Sequence, residues 1–347
     1  MNHAPKRVQQ DSKPPAIQRV AKGLYIALFV LSLIVVVSFV ALKVFAPAPT
    51  VDSQVTFAPP SVPVESARPV KASKSPDDSD DADDEPEPIV LNRRDGVYTC
   101  LLLGVADQGG SDTIMLGVFD TGAKTASLIS IPRDTVVLYN GKYRKINALY
   151  STKGGVAATS AAVAEMLAVP IDYYVSVNTK AFREIVNQIG GVYFNVPVDM
   201  DYEDPYQDLV IHIKKGYQKL DGKQAEGVVR CRSCYASADI GRAATQRAFL
   251  TALVKQTVTV SNVDKVTSLI NIFSSYVKST MSVNDMVFFA TQAIGMDLDT
   301  ALTAGGLPGE WTNPYGELDD AATLELVNSL NIYEEEIPAE VLHIIHP

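Results

Sequence analysis

The sequence is poor in cysteine, histidine and tryptophan. Its 347 residues include three cysteines, four histidines and one tryptophan. Three cysteines are too few for a disulfide scaffold, so we expect the fold to rest on a hydrophobic core. Cys231 and Cys234 could form half of a zinc site, but no second CxxC accompanies them, which favours unlinked or locally bridged cysteines. The histidines match no catalytic motif. Trp311 is expected to pack the C-terminal part, with glycan stacking as the alternative.

Positive charge is also scarce. The chain has 30 Lys and Arg against 40 Asp and Glu, a formal net charge of -10. This balance argues against a general nucleic-acid surface, so no nucleic acid is expected as a partner. The charge is unevenly spread, since residues 1–22 are basic and residues 77–87 are strongly acidic.

One long hydrophobic run predicts a membrane anchor. Residues 23–42 contain no charged side chain, and twenty helical residues match the thickness of a bilayer core. The basic tail 1–22 precedes this run, so the N-terminus is expected in the cytoplasm and the C-terminal domain outside the cell membrane. A cleaved signal peptide is the alternative, with Ala46-Pro47-Ala48 as its candidate cleavage site.

The residues after the predicted span divide into a linker and a folded part. Residues 43–95 are rich in proline and acid, with few large apolar groups, and predict a disordered linker. A cation site in the acidic run is the less favoured interpretation. Residues 96–347 are expected to fold.

The expected folded part alternates between short apolar runs and helical patterns. Strands are predicted at 97–104, 113–119, 126–131, 173–177 and 192–196, and helices at 148–167, 181–189, 242–258, 263–277, 283–294 and 321–330. This order predicts an α/β domain with three α-β-α layers and a central mixed sheet, preceded by the single transmembrane helix. Functional sites in such domains gather where strands end.

Two loops next to predicted strands carry candidate site residues. Asp107 and Asp112 lie in a glycine-bearing loop, and two carboxylates of this kind suit Mg²⁺. An ordinary hairpin turn capped by Asp112 is the alternative. Arg133 and Asp134 follow a strand that Pro132 ends, where Arg133 could bind phosphate or simply pair with Asp134.

A third cluster is the most informative, because four arginines fall within residues 230–247. Such crowding of like charge is costly unless an anion is present. In an extended segment, Arg230 and Arg232 would project to one side with Cys231 opposite. A helix beginning near Asp239 would then present a stripe that starts charged and becomes apolar, consisting of Arg242, Gln246, Phe249, Leu250 and Leu253. This pattern predicts a pocket, and a solvated basic face is the alternative.

Together these clusters resemble the LytR-CpsA-Psr family of cell-envelope proteins over about residues 97–258. The segments that carry the resemblance are LLLG at 101–104, SDT at 111–113, SIPRDT at 130–135, KINALY at 145–150, IDYYVSVN at 171–178, IGGVYFNVP at 189–197 and the pattern RxR, D, xxR, xxxQ from Arg230 to Gln246. Their order and spacing make the match specific. The resemblance implies a catalytic core at 96–260. Residues 261–347 are expected to form C-terminal helices and an appendage that complete the domain outside the membrane.

The resemblance implies a Mg²⁺-dependent phosphotransferase that acts as a glycopolymer–peptidoglycan ligase. It would take an anionic glycopolymer, teichoic acid-like or a capsular polysaccharide, from a polyprenyl-diphosphate carrier. The polymer would be joined to peptidoglycan through a phosphodiester, and the prenyl chain would occupy an apolar cavity. The implied diphosphate-binding residues are Arg133, Arg230, Arg232, Asp239, Arg242 and Gln246. The implied catalytic residues are Asp112, Arg133, Asp134, Arg230 and Arg232, with Asp112 and Asp107 at the metal.

Two positions depart from the family pattern. The family's second metal-site carboxylate falls at Ala106 here, with Asp107 one residue later, which puts the metal role of Asp107 in doubt. The residue between the paired arginines is often aromatic in the family, but it is Cys231 here. The general base could be Asp112 or Asp134.

Two other functions remain open. One is a polyprenyl-diphosphate hydrolase (a pyrophosphatase), since water could replace the acceptor hydroxyl in the same site. The other is a regulatory binding protein that senses lipid intermediates, although the acidic domain and the absence of a DNA-binding motif disfavour direct attenuation of gene expression.

Overall fold

The computed structural model describes residues 47–57, 88–106, 109–204, 209–257, 273, 275–293, 296–311 and 314–347. The predicted span 23–42 and Asp107 lie outside these residues, as does most of the predicted helix 263–277. Within the described part, no helix is both long enough and apolar enough to cross a bilayer.

Sixteen strands are described. They are β1 (Gln54–Phe57), β2 (Ile89–Asn92), β3 (Val97–Val105), β4 (Ser111–Asp120), β5 (Thr125–Ser130), β6 (Val136–Tyr139), β7 (Lys142–Lys145), β8 (Tyr173–Asn178), β9 (Val192–Val196), β10 (Met200–Asp204), β11 (Leu209–Ile213), β12 (Gly216–Leu220), β13 (Val277–Ser279), β14 (Leu302–Gly306), β15 (Gly309–Trp311) and β16 (Gly316–Leu318). The α-helices with described bounds are α1 (Ile146–Leu149), α2 (Gly155–Leu167), α3 (Thr179–Gln188), α4 (Gly222–Arg230), α5 (Asp239–Thr257), α6 (Val283–Ala293), α7 (Leu298–Ala301) and α8 (Asp320–Ser329). A short 3₁₀ helix follows at Ala339–Val341.

The central sheet has six strands in the order β13-β8-β3-β4-β5-β14. The pairs β3–β8 and β5–β14 are parallel, whereas β13–β8, β3–β4 and β4–β5 are antiparallel. The predicted α/β fold with a central mixed sheet is therefore confirmed. Strands β13 and β14 come from the C-terminal part of the chain, so residues on both sides of position 260 build one sheet.

Side chains alternate between the two faces of the sheet, and one face packs into the first of two core clusters. Leu101 and Leu103 of β3 pack into a cluster with residues of α1, α2 and α8. A second cluster joins α3, α4 and α5 to the small sheets β9–β12 and β10–β11, and Phe249 is one of its members. The helices therefore form layers on both sides of the sheet.

Leu102 lies on the face of β3 opposite to Leu101 and Leu103. On the same face, Tyr98 is covered by α6, where its ring centroid lies 5.0 Å from that of Phe289. The space between Leu102 and helices α3, α4 and α5 forms a cavity.

A buried ion pair joins the residue after β2 to the residue before β8. Arg93 is 5% exposed. Its Nη1 and Nη2 atoms donate to the two carboxylate oxygens of Asp172 over 2.7 and 2.8 Å. The backbone amide of Thr99 donates to the same carboxylate over 2.8 Å. This pair satisfies charges that would otherwise be costly to bury.

Two predictions of regular structure outside the cavity need correction. The linker 43–95 is not wholly without regular structure, because β1 and β2 lie within it and pair in antiparallel register. In both strands, half-buried residues alternate with exposed ones. The strands form because the half-buried side chains pack against the first core cluster; these are Val55, Phe57, Ile89 and Leu91. The predicted helix 148–167 is shorter than expected and begins at Gly155.

Candidate active site

The sheet brings four segments to one edge. Because β3, β5 and β8 run in the same direction, their carboxyl ends meet there, and antiparallel β4 begins there. Asp112 is the second residue of β4, and Arg133 follows β5 in a turn where the amide of Thr135 donates to the carbonyl of Pro132 over 3.0 Å. Ligand sites of α/β sheets form at such edges.

The floor of the cavity is one face of the sheet. Met115, Leu102 and Val175 lie side by side across β4, β3 and β8, and all three line the cavity. In the next row, Gly104 pairs with Thr113, and a Cβ atom at Gly104 would lie 2.8 Å from the Thr113 Cβ. Glycine at this position therefore lets Thr113 pack over the strand.

Helix α5 forms one wall. Arg242, Gln246, Phe249, Leu250 and Leu253 all line the cavity, which has a volume of about 640 Å³. The predicted stripe is confirmed. Arg242 and Leu253 are separated by about 16 Å along the helix axis. The wall therefore changes from charged to apolar over that distance.

Four arginines and two carboxylates line this cavity: Arg133, Arg230, Arg232, Arg242, Asp112 and Glu226. The wall therefore has a surplus of positive charge. Apolar side chains from the sheet and from α3, α4 and α5 form most of the remaining lining. A cavity with both a cationic part and an apolar part suits an amphipathic ligand with an anionic head.

Asp239, the first residue of α5, holds three of these arginines together. Its Oδ1 lies 2.8 Å from Nη2 of Arg242. Its Oδ2 lies 3.0 Å from Nη2 of Arg232 and 3.6 Å from Nε of Arg133. One carboxylate therefore fixes guanidinium groups from three separate segments of the chain.

Arg133 is bound on its other side by Asp112, whose Oδ1 accepts from Nη1 over 2.6 Å. Burial alone would lower the pKa of Arg133, but the hydrogen bond to Asp112 and the charges of Asp239, Asp112 and Asp134 outweigh it, so the pKa is raised. For Arg242, burial is the dominant influence and lowers the pKa, although Asp239 opposes it. Arginine remains charged throughout the physiological range in either case.

Glu226 pairs with Arg230 one helical turn away on α4. Nη1 of Arg230 donates to its Oε1 over 2.6 Å, and Nη1 of Arg183 on α3 lies 3.1 Å from its Oε2. The Glu226 side chain is only 8% exposed. Gln246 ties α5 to the same helix, since its Nε2 donates to the carbonyl of Val229 over 2.9 Å.

The structure brings most of the predicted site residues together. Asp112, Arg133, Arg230, Arg232, Arg242 and Gln246 line one cavity, and Asp239 contacts three of them. Asp134 is different, because it lies outside this lining and its Oδ1 is 3.0 Å from Nζ of Lys145. This position does not support a direct catalytic role for Asp134. The alternative of a simple Arg133–Asp134 pair is also disfavoured, because that contact is 4.0 Å long.

The expected extended segment at Arg230 is wrong, because Arg230 is the last residue of helix α4. Both arginines nevertheless line the cavity, while Cys231 between them is buried in the second core cluster. Cys231 and Cys234 form a disulfide with a Cα–Cα distance of 5.7 Å. Of the two arrangements left open by the sequence, unlinked or locally bridged cysteines, the structure therefore shows the local bridge.

Sequence reasoning missed helix α4 and, with it, Glu226. The signal was present, since Asp221 and Gln224 form a capping box in which each side chain bonds the other residue's backbone amide. A helix starting there would have placed Glu226 and Arg230 four residues apart on one face. Trp311 packs against the first core cluster, which agrees with the structural interpretation of that residue.

Asp112 is the described residue whose chemistry best fits Mg²⁺. It lines the cavity, its side chain is 41% exposed, and its Oδ1 is shared with Arg133. The described residues include no group of three or more His, Cys, Asp or Glu that could hold a metal ion. Mg²⁺ often binds through one or two carboxylates together with substrate phosphates. This donor set therefore fits an ion completed by a substrate rather than one held in a protein cage.

The model of the LytR_cpsA_psr family matches residues 66–312 of this chain. This chain belongs to the LytR-CpsA-Psr family. The matched region includes every site residue named above, so the cavity lies within the part of the chain that defines the family.

Two similar proteins, TagV and TagT, add detail. The polyisoprenyl-teichoic acid–peptidoglycan teichoic acid transferase TagV of Bacillus subtilis is 31% identical over 253 residues, which is 69% of this chain and 64% of that protein. The crystal structure of B. subtilis TagV has a TM-score of 0.62 at 28% identity, with 71% of this chain and 100% of that chain covered. A structure of TagT bound to LIIa-WTA has a TM-score of 0.56 at 26% identity and covers 68% of this chain and 90% of that one. The chain spans between 54% and 64% of the length of the first curated relatives it matches.

Proposed function

We propose that this LytR-CpsA-Psr protein transfers an anionic glycopolymer from a polyprenyl-diphosphate carrier to peptidoglycan through a phosphodiester. One observation carries the proposal: four arginines and a long apolar wall line the same cavity. A polyprenyl diphosphate has the matching chemistry, because its two phosphates are anionic and its chain is apolar.

The arginines give the head group its expected binding mode. Arg133 and Arg242 both line the cavity, and Asp239 contacts both guanidinium groups. A phosphate oxygen is a suitable acceptor, since guanidinium groups bind phosphate with charge-assisted and often bidentate hydrogen bonds. The apolar wall formed by Phe249, Leu250 and Leu253 would bind the prenyl chain.

The named relatives support this substrate class. TagV is a teichoic acid transferase that acts between polyisoprenyl-teichoic acid and peptidoglycan, and the TagT structure is bound to LIIa-WTA. A teichoic acid-like polymer is therefore our first choice of cargo, and a capsular polysaccharide is the second.

The reaction would exchange one P–O bond for another. The acceptor hydroxyl oxygen attacks the phosphorus that bears the glycan, and the bond from that phosphorus to the prenyl phosphate oxygen breaks. Prenyl monophosphate leaves, and the hydroxyl proton passes to a base. Phosphoryl transfer depends mainly on alignment and charge neutralisation, which Arg133, Arg230, Arg232 and Arg242 would supply.

The proposal includes a magnesium ion as cofactor. Asp112 would hold it together with diphosphate oxygens, and the ion would neutralise charge on the phosphates. Asp112 and Arg133 share a hydrogen bond, so a carboxylate and a guanidinium group lie side by side in the cavity lining.

The proposal also places the folded part outside the cytoplasm, attached by a single span at residues 23–42. The charge-free run and the basic residues before it support this orientation. The Cys231–Cys234 disulfide supports it as well, because disulfides persist in oxidising compartments.

A reconstitution experiment tests the proposal. The full chain in detergent is incubated with a prenyl-diphosphate oligosaccharide, Mg²⁺ and peptidoglycan fragments, and the products are identified by mass spectrometry. We expect a phosphodiester-linked glycan and prenyl monophosphate. Unlinked glycan phosphate with prenyl monophosphate would instead indicate a hydrolase. Tight binding without turnover would indicate a binding protein.

Two site variants and one control sharpen this test. Arg230→Ala and Arg232→Ala are expected to lose turnover while remaining folded, because both side chains face the cavity. Arg144→Ala is the matched control, since Arg144 is exposed on β7 and outside the cavity lining. Equal activity in all three variants would contradict the proposed site.

A further inference from the structure

The disulfide lies within the proposed phosphate-binding region. Cys231 directly follows Arg230, and the ring that it closes with Cys234 contains Arg232 and Ser233. Arg230, Arg232 and Ser233 all line the cavity. The bridge therefore spans the backbone that presents Arg232, and it begins directly after Arg230.

Apart from the disulfide, no helix or strand holds the backbone at Arg232 in place. Residues 231–238 form neither helix nor strand, and the Arg232 side chain is 53% exposed. Arg242, by contrast, lies inside helix α5 and has a side chain that is only 8% exposed. The backbone around Arg232 must therefore be held in place by other contacts.

Two anchors hold this segment. Cys231 is completely buried in the second core cluster, and Cys234 packs against that cluster, so the bridge ties the segment to the core. Further along, Tyr235 packs against Gly241, and its hydroxyl lies 2.6 Å from the Thr245 Oγ1. Arg232 lies between the buried end of the bridge and the tyrosine anchor.

The bridge is poorly suited to stabilise the whole domain. A disulfide restricts the unfolded chain less when it closes a shorter loop. Cys231 and Cys234 are separated by only three positions. Its main effect is therefore expected to be on local geometry.

We propose that the Cys231–Cys234 disulfide positions Arg232 for diphosphate binding, so that the oxidised protein binds diphosphate more tightly than the reduced protein. This inference rests on the proposed function. Opening the bridge would release the segment between α4 and α5, and Arg232 would lose its fixed position beside Asp239.

The test compares the affinity of the full chain for inorganic pyrophosphate, measured by calorimetry before and after treatment with dithiothreitol. The two thiols of dithiothreitol become a cyclic disulfide, while two electrons and two protons pass to Cys231 and Cys234. Free thiols are counted to verify that the bridge has opened. We expect binding to weaken about tenfold, the loss of roughly one charge-assisted contact.

Three variants separate positioning from general stability. Cys234→Ser should bind as weakly as the reduced protein and should not respond to dithiothreitol. Cys100→Ala should bind like the wild type and keep the response, because Cys100 lies outside the cavity lining and the bridge. In Arg232→Gln the response should disappear, which a purely structural role of the bridge would not produce.

The outcomes are distinguishable. Equal affinity of oxidised and reduced wild type, with the bridge open and the fold intact by circular dichroism, would overturn the inference and leave the proposed function standing. If dithiothreitol still weakened pyrophosphate binding by Arg232→Gln, the claim that the bridge acts through Arg232 would be wrong. Failure of the oxidised wild type to bind pyrophosphate at all would overturn the proposed function and this inference together.

Discussion

Replacing Asp239 with asparagine is expected to destabilise the protein and to make its stability depend on phosphate. Asp239 is the carboxylate that contacts Arg133, Arg232 and Arg242. Asparagine has nearly the same shape and keeps one oxygen acceptor, but it removes the negative charge. Three cations would then face one another without their shared counter-charge.

The size of the effect follows from burial. The Arg242 side chain is 8% exposed and that of Asp239 is 24% exposed. Removing one partner of a buried ion pair costs about 3–5 kcal/mol, and the retained amide oxygen and partial exposure should reduce this to about 2–3 kcal/mol. The half-exposed pair with Arg232 adds about 0–1 kcal/mol. The total of about 3 kcal/mol corresponds to a fall in Tm of about 6–12 °C for a domain of this size.

The assay is thermal unfolding with and without inorganic pyrophosphate. A bound anion can replace the missing carboxylate, and a ligand at about 100 times its Kd stabilises a protein by about 2.7 kcal/mol. We expect the Tm of Asp239→Asn to rise more than that of the wild type, so that the gap between them narrows. Asp201→Asn is the control, because Asp201 is 84% exposed and lies outside the cavity lining, and it should change stability by less than about 0.5 kcal/mol. A wild-type Tm for Asp239→Asn, or a gap that pyrophosphate leaves unchanged, would refute the reasoning.

Three further predictions concern single side chains. Glu226→Leu should lower the free energy of unfolding by about 3 kcal/mol in urea denaturation, because two arginines lose their buried partner; a wild-type midpoint would show that the contacts at 2.6 and 3.1 Å contribute nothing. Phe249→Ala should cost about 3–5 kcal/mol, since the ring is 1% exposed, and a loss below about 1 kcal/mol would mean that the core closes around the gap. The hydrogen bond to Asp320 raises the pKa of His346 above its ordinary value of 6.5. Protonation therefore stabilises the fold below pH 6.5, and this contribution is lost as the pH rises through the folded pKa. The Tm difference between wild type and His346→Gln should accordingly be largest at low pH, and a difference that does not change with pH would contradict this.

The sequence predicted the central strands and helix α5 because their signals are local. Strands β3, β4 and β5 are apolar runs with clear ends, and helix α5 carries a side-chain stripe that also identified the cavity wall. The four arginines within residues 230–247 predicted an anion site, because crowded positive charges repel one another unless an anion is bound. This reason holds whether the residues lie in a strand or in a helix.

The misses came from contacts between distant parts of the chain. Helix α4 contains Gly227, a residue unfavourable in helices, but the helix is stabilised by packing against Ile211 and by its capping box. The pairing of β1 with β2 depends on residues on either side of a long acidic segment, and periodicity within either strand does not reveal it. The shared role of Asp239 is also non-local, because Arg133 lies more than one hundred residues away in the sequence.

Binding of a short prenyl diphosphate tests the central claim most directly, because that claim joins a cationic head-group site and an apolar chain site in one cavity. Calorimetry would compare this ligand with inorganic pyrophosphate and with the corresponding prenyl alcohol. We predict that the prenyl diphosphate binds at least about tenfold more tightly than either fragment, since each CH₂ buried contributes about 0.8 kcal/mol and the phosphates add charge-assisted bonds. An affinity no higher than that of pyrophosphate would contradict the apolar part of the account, and one no higher than that of the alcohol would contradict the arginine site.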